Sequence, residues 1–141
     1  MRLEIVAQLG AESFRALPGD HLEFGNIERM VGGTAVSLAA EARYYFRDVR
    51  IISCIGDDDF TKSIENHVHG LGVRNALLRI ENLPNSVCLT MRDAEGSRIL
   101  FANQPTPASR LTFGYVQRQL SDGPTPDLIF ADGYLLLTPV S

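Results

Sequence analysis

The sequence contains little cysteine, no long apolar run and no concentration of basic residues. Its two cysteines, Cys54 and Cys88, lie among apolar, strand-like residues, which predicts buried free thiols in a reducing cytosol rather than a disulfide. No apolar stretch approaches the roughly 18 residues of a membrane-spanning helix, and the amino-terminal residues do not resemble a secretion signal. These absences predict a cytoplasmic protein that does not enter a membrane.

The charge balance argues against a nucleic-acid-binding protein. Lys and Arg together number 13 and Asp and Glu 17, a formal net charge of −4, and the basic residues are dispersed. Hydrophobic residues make up 45% and charged residues 21% of the 141 residues, which is ordinary for a folded protein. A chain of this length is typical of one domain and can fold without a disulfide or a metal.

Short β-rich runs alternate with amphipathic helical patterns along the chain. Helices are predicted at residues 34–46, from Asp57 to about Gly70, and at 111–120. Strands separated by helices imply a parallel sheet with right-handed crossovers, and a turn signal at 93–96 predicts a β-hairpin. The sequence therefore predicts an α/β fold. Its strands are expected at residues 2–9, 21–30, 49–55, 73–80, 86–92, 98–101 and 127–131.

Gly32 and Gly33 stand directly before the first predicted helix. Two glycines at this point would let the backbone approach a ligand closely, with N–H groups able to donate to sugar hydroxyls or to an anion. A tight strand-to-helix turn that needs a positive φ explains the pair equally simply. On these residues alone the turn is the better interpretation.

Three consecutive carboxylates, Asp57, Asp58 and Asp59, precede the second predicted helix. They could form a cluster for a cation, but three successive residues in one turn cannot all face one ion. We therefore favour a turn in which one of them caps the helix. His67 and His69 are two residues apart on that helix, so they point in different directions and are not expected to share a metal.

The order of motifs resembles the N-terminal half of the ribokinase/PfkB family of carbohydrate and nucleoside kinases. The segment GGTAVSLAA at residues 32–40 opens a helix, and IGDDDF at residues 55–60 follows the next strand at the family's spacing. The resemblance covers essentially the whole chain. Three further segments agree in order: Pro18-Gly19-Asp20, residues 85–98 with their D-x-x-G-x-R turn, and Asp132-Gly133-Tyr134-Leu135.

This resemblance implies a fold and a function. The fold would be a partial ribokinase-like, Rossmann-type parallel sheet flanked by helices, forming one domain over residues 1–141, with a small β-lid at about residues 12–31 and 86–101. The function would be that of the substrate-binding and lid half of an ATP-dependent sugar or nucleoside kinase. Gly32, Gly33 and Ser37 would bind the substrate, and lids of this family also join two chains into a homodimer. ATP and Mg²⁺ are implied as cofactors by the family alone.

The sequence departs from the family pattern at several positions. Ser37 stands where the family has a substrate-binding Asn, Thr61 replaces a Gly, and Gly10-Ala11-Glu12 is an imperfect counterpart of a substrate-binding Asp. The G-A-G-D anion hole with its base Asp, and the N-x-x-E element near magnesium, do not occur in these residues.

Phosphoryl transfer depends on groups that position the phosphate and neutralise its charge. We therefore predict no catalytic residue, no metal ligand, no bound ATP and no activity for this chain alone. The alternative is a non-catalytic interaction module that keeps the half-fold and associates through the lid or an open sheet edge.

Overall fold

The computed structural model describes residues 1–9, 13–14 and 24–133, and these residues form both strands and helices. None of the helices in these ranges is long and apolar enough to cross a membrane. The strands are β1 (Arg2–Leu9), β2 (Phe24–Gly32), β3 (Arg50–Ile55), β4 (Arg74–Arg79), β5 (Val87–Arg92) and β6 (Arg98–Ala102). The helices are α1 (Thr34–Ala42), α2 (Thr61–Gly70) and α3 (Phe113–Ser121), and a short 3-10 helix covers Pro107–Arg110.

The larger sheet has four strands in the order β2-β1-β5-β6. Strand β1 is interior: it runs antiparallel to β2 and parallel to β5, so that Leu3 pairs with Val31 on one side and with Val87 on the other. Strands β5 and β6 form the predicted antiparallel hairpin. Both segments predicted as a lid therefore flank β1 in one mixed sheet, as far as they are described. Residues 12 and 15–23 of the first segment lie outside the described residues.

A second sheet consists of the parallel strands β3 and β4. Helix α2 connects them, which gives the strand–helix–strand unit that the sequence predicts. The α/β fold is thus confirmed, with one correction to its detail. The sequence predicts the extra β segments beside a parallel sheet, whereas the structure pairs them with β1 itself. Apolar periodicity shows that a segment is a strand, but it does not identify the strand's neighbour.

The described core of the second unit lies between the helices and β3. Ala39 of α1, Val68 of α2, Ile51 of β3 and Val73 ahead of β4 form one buried cluster. Helix α2 supplies Ile64 and Val68 at helical spacing, and both are buried, as the sequence predicts. This packing fixes the amino end of α2 beside the end of β3, where several polar residues meet.

Several predicted elements differ in the structure. Helix α2, predicted from Asp57, begins at Thr61, and β2, predicted to end at residue 30, extends to Gly32. Residues 127–131, predicted as a buried strand, form no strand, and Leu128, Ile129 and Phe130 are 69%, 62% and 54% exposed. A strand needs a hydrogen-bonded neighbour, and no described strand pairs with this segment. Helix α1 is predicted to reach residue 46 but ends at Ala42. The next residues form a turn, in which the Tyr45 N–H donates to the Ala42 carbonyl at 2.9 Å.

The two cysteines are buried free thiols, as the sequence predicts. Cys54 and Cys88 are only 2% and 1% exposed. Burial raises the pKa of the Cys54 thiol to about 11, against the opposing effect of the nearby terminal ammonium group. A thiol with such a high pKa is protonated at neutral pH and is therefore a poor nucleophile.

Candidate functional site

The pair Gly32 and Gly33, hereafter the glycine turn, joins β2 to α1. Gly33 precedes the first residue of α1 with φ +105°, a conformation that L side chains rarely adopt. No side chain caps this end of the helix, and the first helical bond runs from the Ser37 N–H to the Gly33 carbonyl at 3.1 Å. The positive φ predicted for the pair is therefore present at Gly33, and no side chain among the described residues caps the first turn of α1.

Gly32 lies against a carboxylate of β1. A Cβ atom at Gly32 would lie 2.7 Å from the Glu4 Oε1 atom, so the missing side chain makes room for the Glu4 carboxylate. Glu4 Oε1 also accepts a hydrogen bond from Arg2 Nε at 3.0 Å. Sequence reasoning looked for a carboxylate after β1, at Glu12, which lies outside the described residues. It missed Glu4, because only the pairing of β1 with β2 brings this residue beside the glycine turn.

A second cluster, hereafter the Asn85 network, consists of Gly56, Asp58, Thr61 and Asn85. The Asp58 carboxylate accepts hydrogen bonds from the Phe60 N–H at 2.9 Å and from the Asn85 N–H at 2.8 Å and Nδ2 at 2.6 Å. Partial burial opposes ionisation of Asp58, but these hydrogen bonds outweigh it and lower the pKa of Asp58 below its ordinary value. Asp58 thus organises the turn before α2, as the sequence predicts for one of the three aspartates. The predicted cap is not found, since the N-cap residue of α2 is Phe60 and no described side chain caps the helix.

Thr61 and Asn85 complete the network in the interior, at 1% and 2% exposure. The Thr61 hydroxyl donates to the Gly56 carbonyl at 3.0 Å and accepts from Asn85 Nδ2 at 2.8 Å. Asn85 Oδ1 accepts from the Gly56 N–H at 2.8 Å. A Cβ atom at Gly56 would lie 2.4 Å from the Leu83 carbonyl oxygen, so only glycine allows this close approach. Thr61, which stands where the family pattern has a Gly, therefore fits this position because its hydroxyl forms hydrogen bonds.

The Asn85 network continues into the hairpin of β5 and β6. The Asn85 carbonyl accepts from Asn103 Nδ2 at 3.0 Å, and Asn103 Oδ1 accepts from the Val87 N–H at 2.7 Å. Asn103 directly follows β6 and Val87 is the first residue of β5. The base of the hairpin is therefore tied to the turn that opens α2.

The tip of the same hairpin is organised by Asp93, which is 3% exposed. Its carboxylate accepts from the N–H groups of Glu95 at 3.1 Å, Ser97 at 2.8 Å and Phe14 at 3.2 Å. Gly96 adopts φ +83°, which the turn requires. The D-x-x-G-x-R motif at residues 93–98 thus has a structural explanation in the closure of the hairpin.

An open cleft of about 440 Å³ lies between β2 and the start of α2. Leu3 contributes to its lining from β1, and Arg29 from β2. Helix α2 and the residue before it contribute Phe60, Ser63 and His67. The predicted site residues Gly32, Gly33 and Ser37 do not line this cleft. The structure places them together at the amino end of α1, where Ser37 is exposed.

Comparison with known proteins identifies the family of the chain. The pattern of the pfkB family of carbohydrate kinases matches residues 4–138. The chain belongs to this family. No curated protein sequence matches the chain significantly.

Solved structures show the same fold as this pfkB-family chain. The ribokinase of Giardia lamblia superposes with a TM-score of 0.70 over 85% of the chain and 38% of its own length, at 16% identity. The nucleoside kinase of Burkholderia thailandensis in complex with inosine superposes with a TM-score of 0.61 over 76% of the chain and 34% of its own length, at 14% identity. The ribokinase of Thermotoga maritima superposes with a TM-score of 0.57 over 72% of the chain and 33% of its own length, at 22% identity. The chain has the ribokinase fold and spans less than two fifths of the length of these kinases.

The family uses ATP with Mg²⁺, but in the described part of the chain the carboxylates of Asp57 and Asp58 do not fit a magnesium site. Asp58 is occupied by protein hydrogen-bond donors, and Asp57 forms an ion pair with Arg79 at 3.6 Å. No group of three or more His, Cys, Asp or Glu residues within the described ranges is arranged to hold a metal ion. His67 and His69 are exposed on α2. We therefore derive no step of phosphoryl transfer through a metal held by these residues.

Proposed function

We propose that this chain is the substrate-binding and lid part of an ATP-dependent kinase that phosphorylates a hydroxyl group of a sugar or nucleoside. The observation that carries the proposal is the glycine turn. Gly33 precedes α1 at φ +105°, no described side chain caps the helix, and the segment GGTAVSLAA, which resembles the family's motif, begins at Gly32 within the matched residues 4–138. The amides at such a helix end can donate hydrogen bonds to a bound ligand. The structurally similar nucleoside kinase was solved in complex with inosine, a hydroxylated nucleoside, which supports a sugar or nucleoside as the substrate.

The residues at the glycine turn have distinct roles in this proposal. Backbone N–H groups at Gly32 and Gly33 would donate to the substrate, with the Glu4 carboxylate beside Gly32, and the exposed Ser37 hydroxyl would form a further hydrogen bond. Ser37 replaces a carboxamide with one hydroxyl, so it supplies fewer hydrogen bonds than the Asn of the family pattern. The lid, at about residues 12–31 and 86–101, would cover the substrate. Together with the rest of the chain it forms one domain.

The chemistry of transfer would require groups that this chain does not supply. ATP and Mg²⁺ are implied by the family alone, and we propose that neither binds to this chain by itself. The general base and the phosphate-binding groups of the family pattern are not found among its residues, so we propose no catalytic residue here. A missing general base by itself typically lowers a rate by about 10² to 10⁴-fold.

Calorimetric titration of the full chain with ribose, fructose and adenosine tests the substrate role. We expect one of them to bind and the Ser37→Ala variant to bind it about 2- to 12-fold more weakly. That range corresponds to one hydrogen bond of about 0.5–1.5 kcal/mol. Ser121→Ala, at the exposed end of α3, is the matched control and should leave the affinity unchanged. Heat from none of the three compounds would contradict the proposal.

A non-catalytic interaction module is the second candidate, because one edge of the lid sheet is open. Strand β6 is an edge strand, and all five of its residues are exposed, including Ile99, Leu100 and Phe101. An exposed apolar edge strand offers hydrogen-bonding groups to another chain. In this proposal two copies of the chain associate through β6. A stable dimer that binds none of the three compounds would favour this candidate over the substrate role.

A further inference from the structure

The cleft between β2 and α2 gathers polar groups that the proposed function does not use. Asp59, Ser63 and His67 follow one another at four-residue intervals from the turn before α2 along the helix, so they lie on one side of it. Arg29 faces the same cleft from β2. The cleft therefore brings a cation, a carboxylate, a hydroxyl and an imidazole to one concave surface.

None of these four side chains has a protein partner within residues 1–9, 13–14 and 24–133. Arg29 and Asp59 form no ion pair in this part of the chain, although both line the same cleft. The neighbouring carboxylates differ, because Asp57 pairs with Arg79 and Asp58 is held by Asn85. The polar groups of the cleft are thus available to a ligand, while those around them are satisfied by the fold.

We propose that this cleft is a second small-molecule site, which binds a phosphorylated monosaccharide. Each part of the ligand follows from a group in the lining. The Arg29 guanidinium matches the geometry of a phosphate group, and His67 offers a further N–H donor. Asp59 can only accept when ionised, so it requires hydroxyl groups on the ligand and disfavours a bare anion. The Ser63 hydroxyl can donate a hydrogen bond to the phosphate group or exchange one with a hydroxyl group of the sugar.

The size and floor of the cleft agree with a single sugar ring. A volume of about 440 Å³ lies near the lower end of the range for small-molecule pockets, which favours a monosaccharide over a dinucleotide. Leu3 and Phe60 supply an apolar surface against which the carbon face of a ring can pack. Leu3 is only 4% exposed, so this part of the floor is fixed by the β1–β2 pairing.

The site is separate from the proposed substrate loop. Gly32, Gly33 and Ser37 do not line the cleft, and its polar residues come from β2 and α2 rather than from α1. A ligand in the cleft would contact a strand of the lid sheet and the helix of the β3–β4 unit together. Its binding would therefore resist separation of these two elements and stabilise the folded chain.

Ribose 5-phosphate is the probe that tests this site, in calorimetric titrations of the full chain. We expect it to bind, and the Arg29→Met and His67→Gln variants to weaken binding at least about 10-fold each, because each removes a charge-assisted or polar contact. His69→Gln is the matched control on the same helix, since His69 is exposed and does not line the cleft. Arg47→Met is the matched control for arginine. Both controls should bind as the unsubstituted chain does.

Four outcomes would overturn the proposal. Ribose 5-phosphate could fail to bind, or it could bind equally well to the cleft variants. Inorganic phosphate could also bind as tightly as ribose 5-phosphate, which would leave no role for the hydroxyl groups. If Ser37→Ala weakens binding and His67→Gln does not, the sugar phosphate occupies the substrate loop and the cleft proposal is wrong. Binding of unphosphorylated ribose that depends only on Ser37 would support the proposed function independently.

Discussion

Asn85 is a buried side chain with every polar atom engaged. Its amide group donates to Asp58 and Thr61 and accepts from the Gly56 N–H, while its backbone groups bond to Asp58 and Asn103. Removing such a side chain leaves buried donors and acceptors without partners, which costs more than the hydrogen bonds themselves contribute. The local conformation before α2 therefore depends on a residue outside that turn.

We expect Asn85→Ala to lower the free energy of unfolding by about 2–4 kcal/mol, measured by urea denaturation. Asn66→Ala is the matched control, because Asn66 is exposed on α2 and forms none of these bonds. Its effect should stay within about 0.5 kcal/mol. Equal effects from the two variants would show that the Asn85 network does not stabilise the fold.

Asp58 gives the stability of the chain a dependence on pH. Its pKa in the folded chain lies below the ordinary value of 3.8, so its contribution is fully present above about pH 4. The contribution is lost as the pH falls through the folded pKa, because the protonated carboxyl no longer accepts the same bonds. We expect Asp58→Asn to be less stable than the unsubstituted chain at pH 7 and to lose less of its stability on acidification below pH 4.

Urea unfolding at a series of pH values between 7 and 2 measures this difference. Asp59→Asn is the control, because the Asp59 carboxylate accepts no hydrogen bond from a described residue. Parallel stability curves for Asp58→Asn and the unsubstituted chain would mean that another group causes the loss at low pH.

The roles of residues that contact their sequence neighbours could be predicted, whereas the roles of residues whose partners are distant in the sequence could not. The positive φ at Gly33 and a turn role for one of the three aspartates were predictable, since both depend on immediate neighbours. The predicted helix cap was wrong, because no described side chain caps α2. Asn85 entered only as part of a motif, because the partners of its side chain lie 24 to 29 positions earlier in the chain. No local pattern distinguishes it from an exposed turn asparagine such as Asn82.

At the scale of elements, the hairpin of β5 and β6 depends on one carboxylate. Asp93 binds two N–H groups of the turn and one from Phe14, beside the end of β1. We expect Asp93→Ala to lower the free energy of unfolding by about 2–3 kcal/mol and to speed hydrogen exchange in β6. Glu95→Ala changes an exposed carboxylate in the same turn and should alter neither quantity. Unchanged exchange in β6 with Asp93→Ala would contradict this account.

Strand and helix prediction succeeded where an element carries its own apolar pattern. Strand β1 has the predicted bounds, residues 2–9, and the hairpin strands differ from prediction by one residue at an end. Prediction was wrong for residues 127–131, which are as apolar as β3 but have no strand beside them in the described part of the chain. Apolar content predicts that a segment can form a strand, whereas the presence of a partner strand decides whether it does.

At the scale of the whole molecule, association of two chains through the open edge at β6 can be tested by measuring the molecular mass in solution. The chain has a mass of 15.5 kDa, and association through β6 predicts a particle of twice that mass by light scattering. Phe101→Lys places a charge on β6 and should return the mass to that of one chain. Ile27→Lys, on the opposite edge strand β2 with similar exposure, should leave the dimer intact.

Two results would contradict a dimer formed through β6. One is a single-chain mass for the unsubstituted protein at every concentration measured. The other is dissociation by Ile27→Lys but not by Phe101→Lys, which would place the contact at β2. Circular dichroism of both variants shows whether the substituted chains remain folded, so that loss of association is not confused with unfolding.

The interior position of β1 has a consequence for the order in which the chain can assemble during synthesis. Strand β1 is made before both of its neighbours, so it can pair with β2 early, whereas its pairing with β5 must follow the synthesis of the residues between them. Closing so long a loop is slow compared with forming local contacts. Until β5 is made, the hydrogen-bonding groups on the β5 side of β1 have no strand partner, so this incomplete sheet is more prone to aggregate than the finished one.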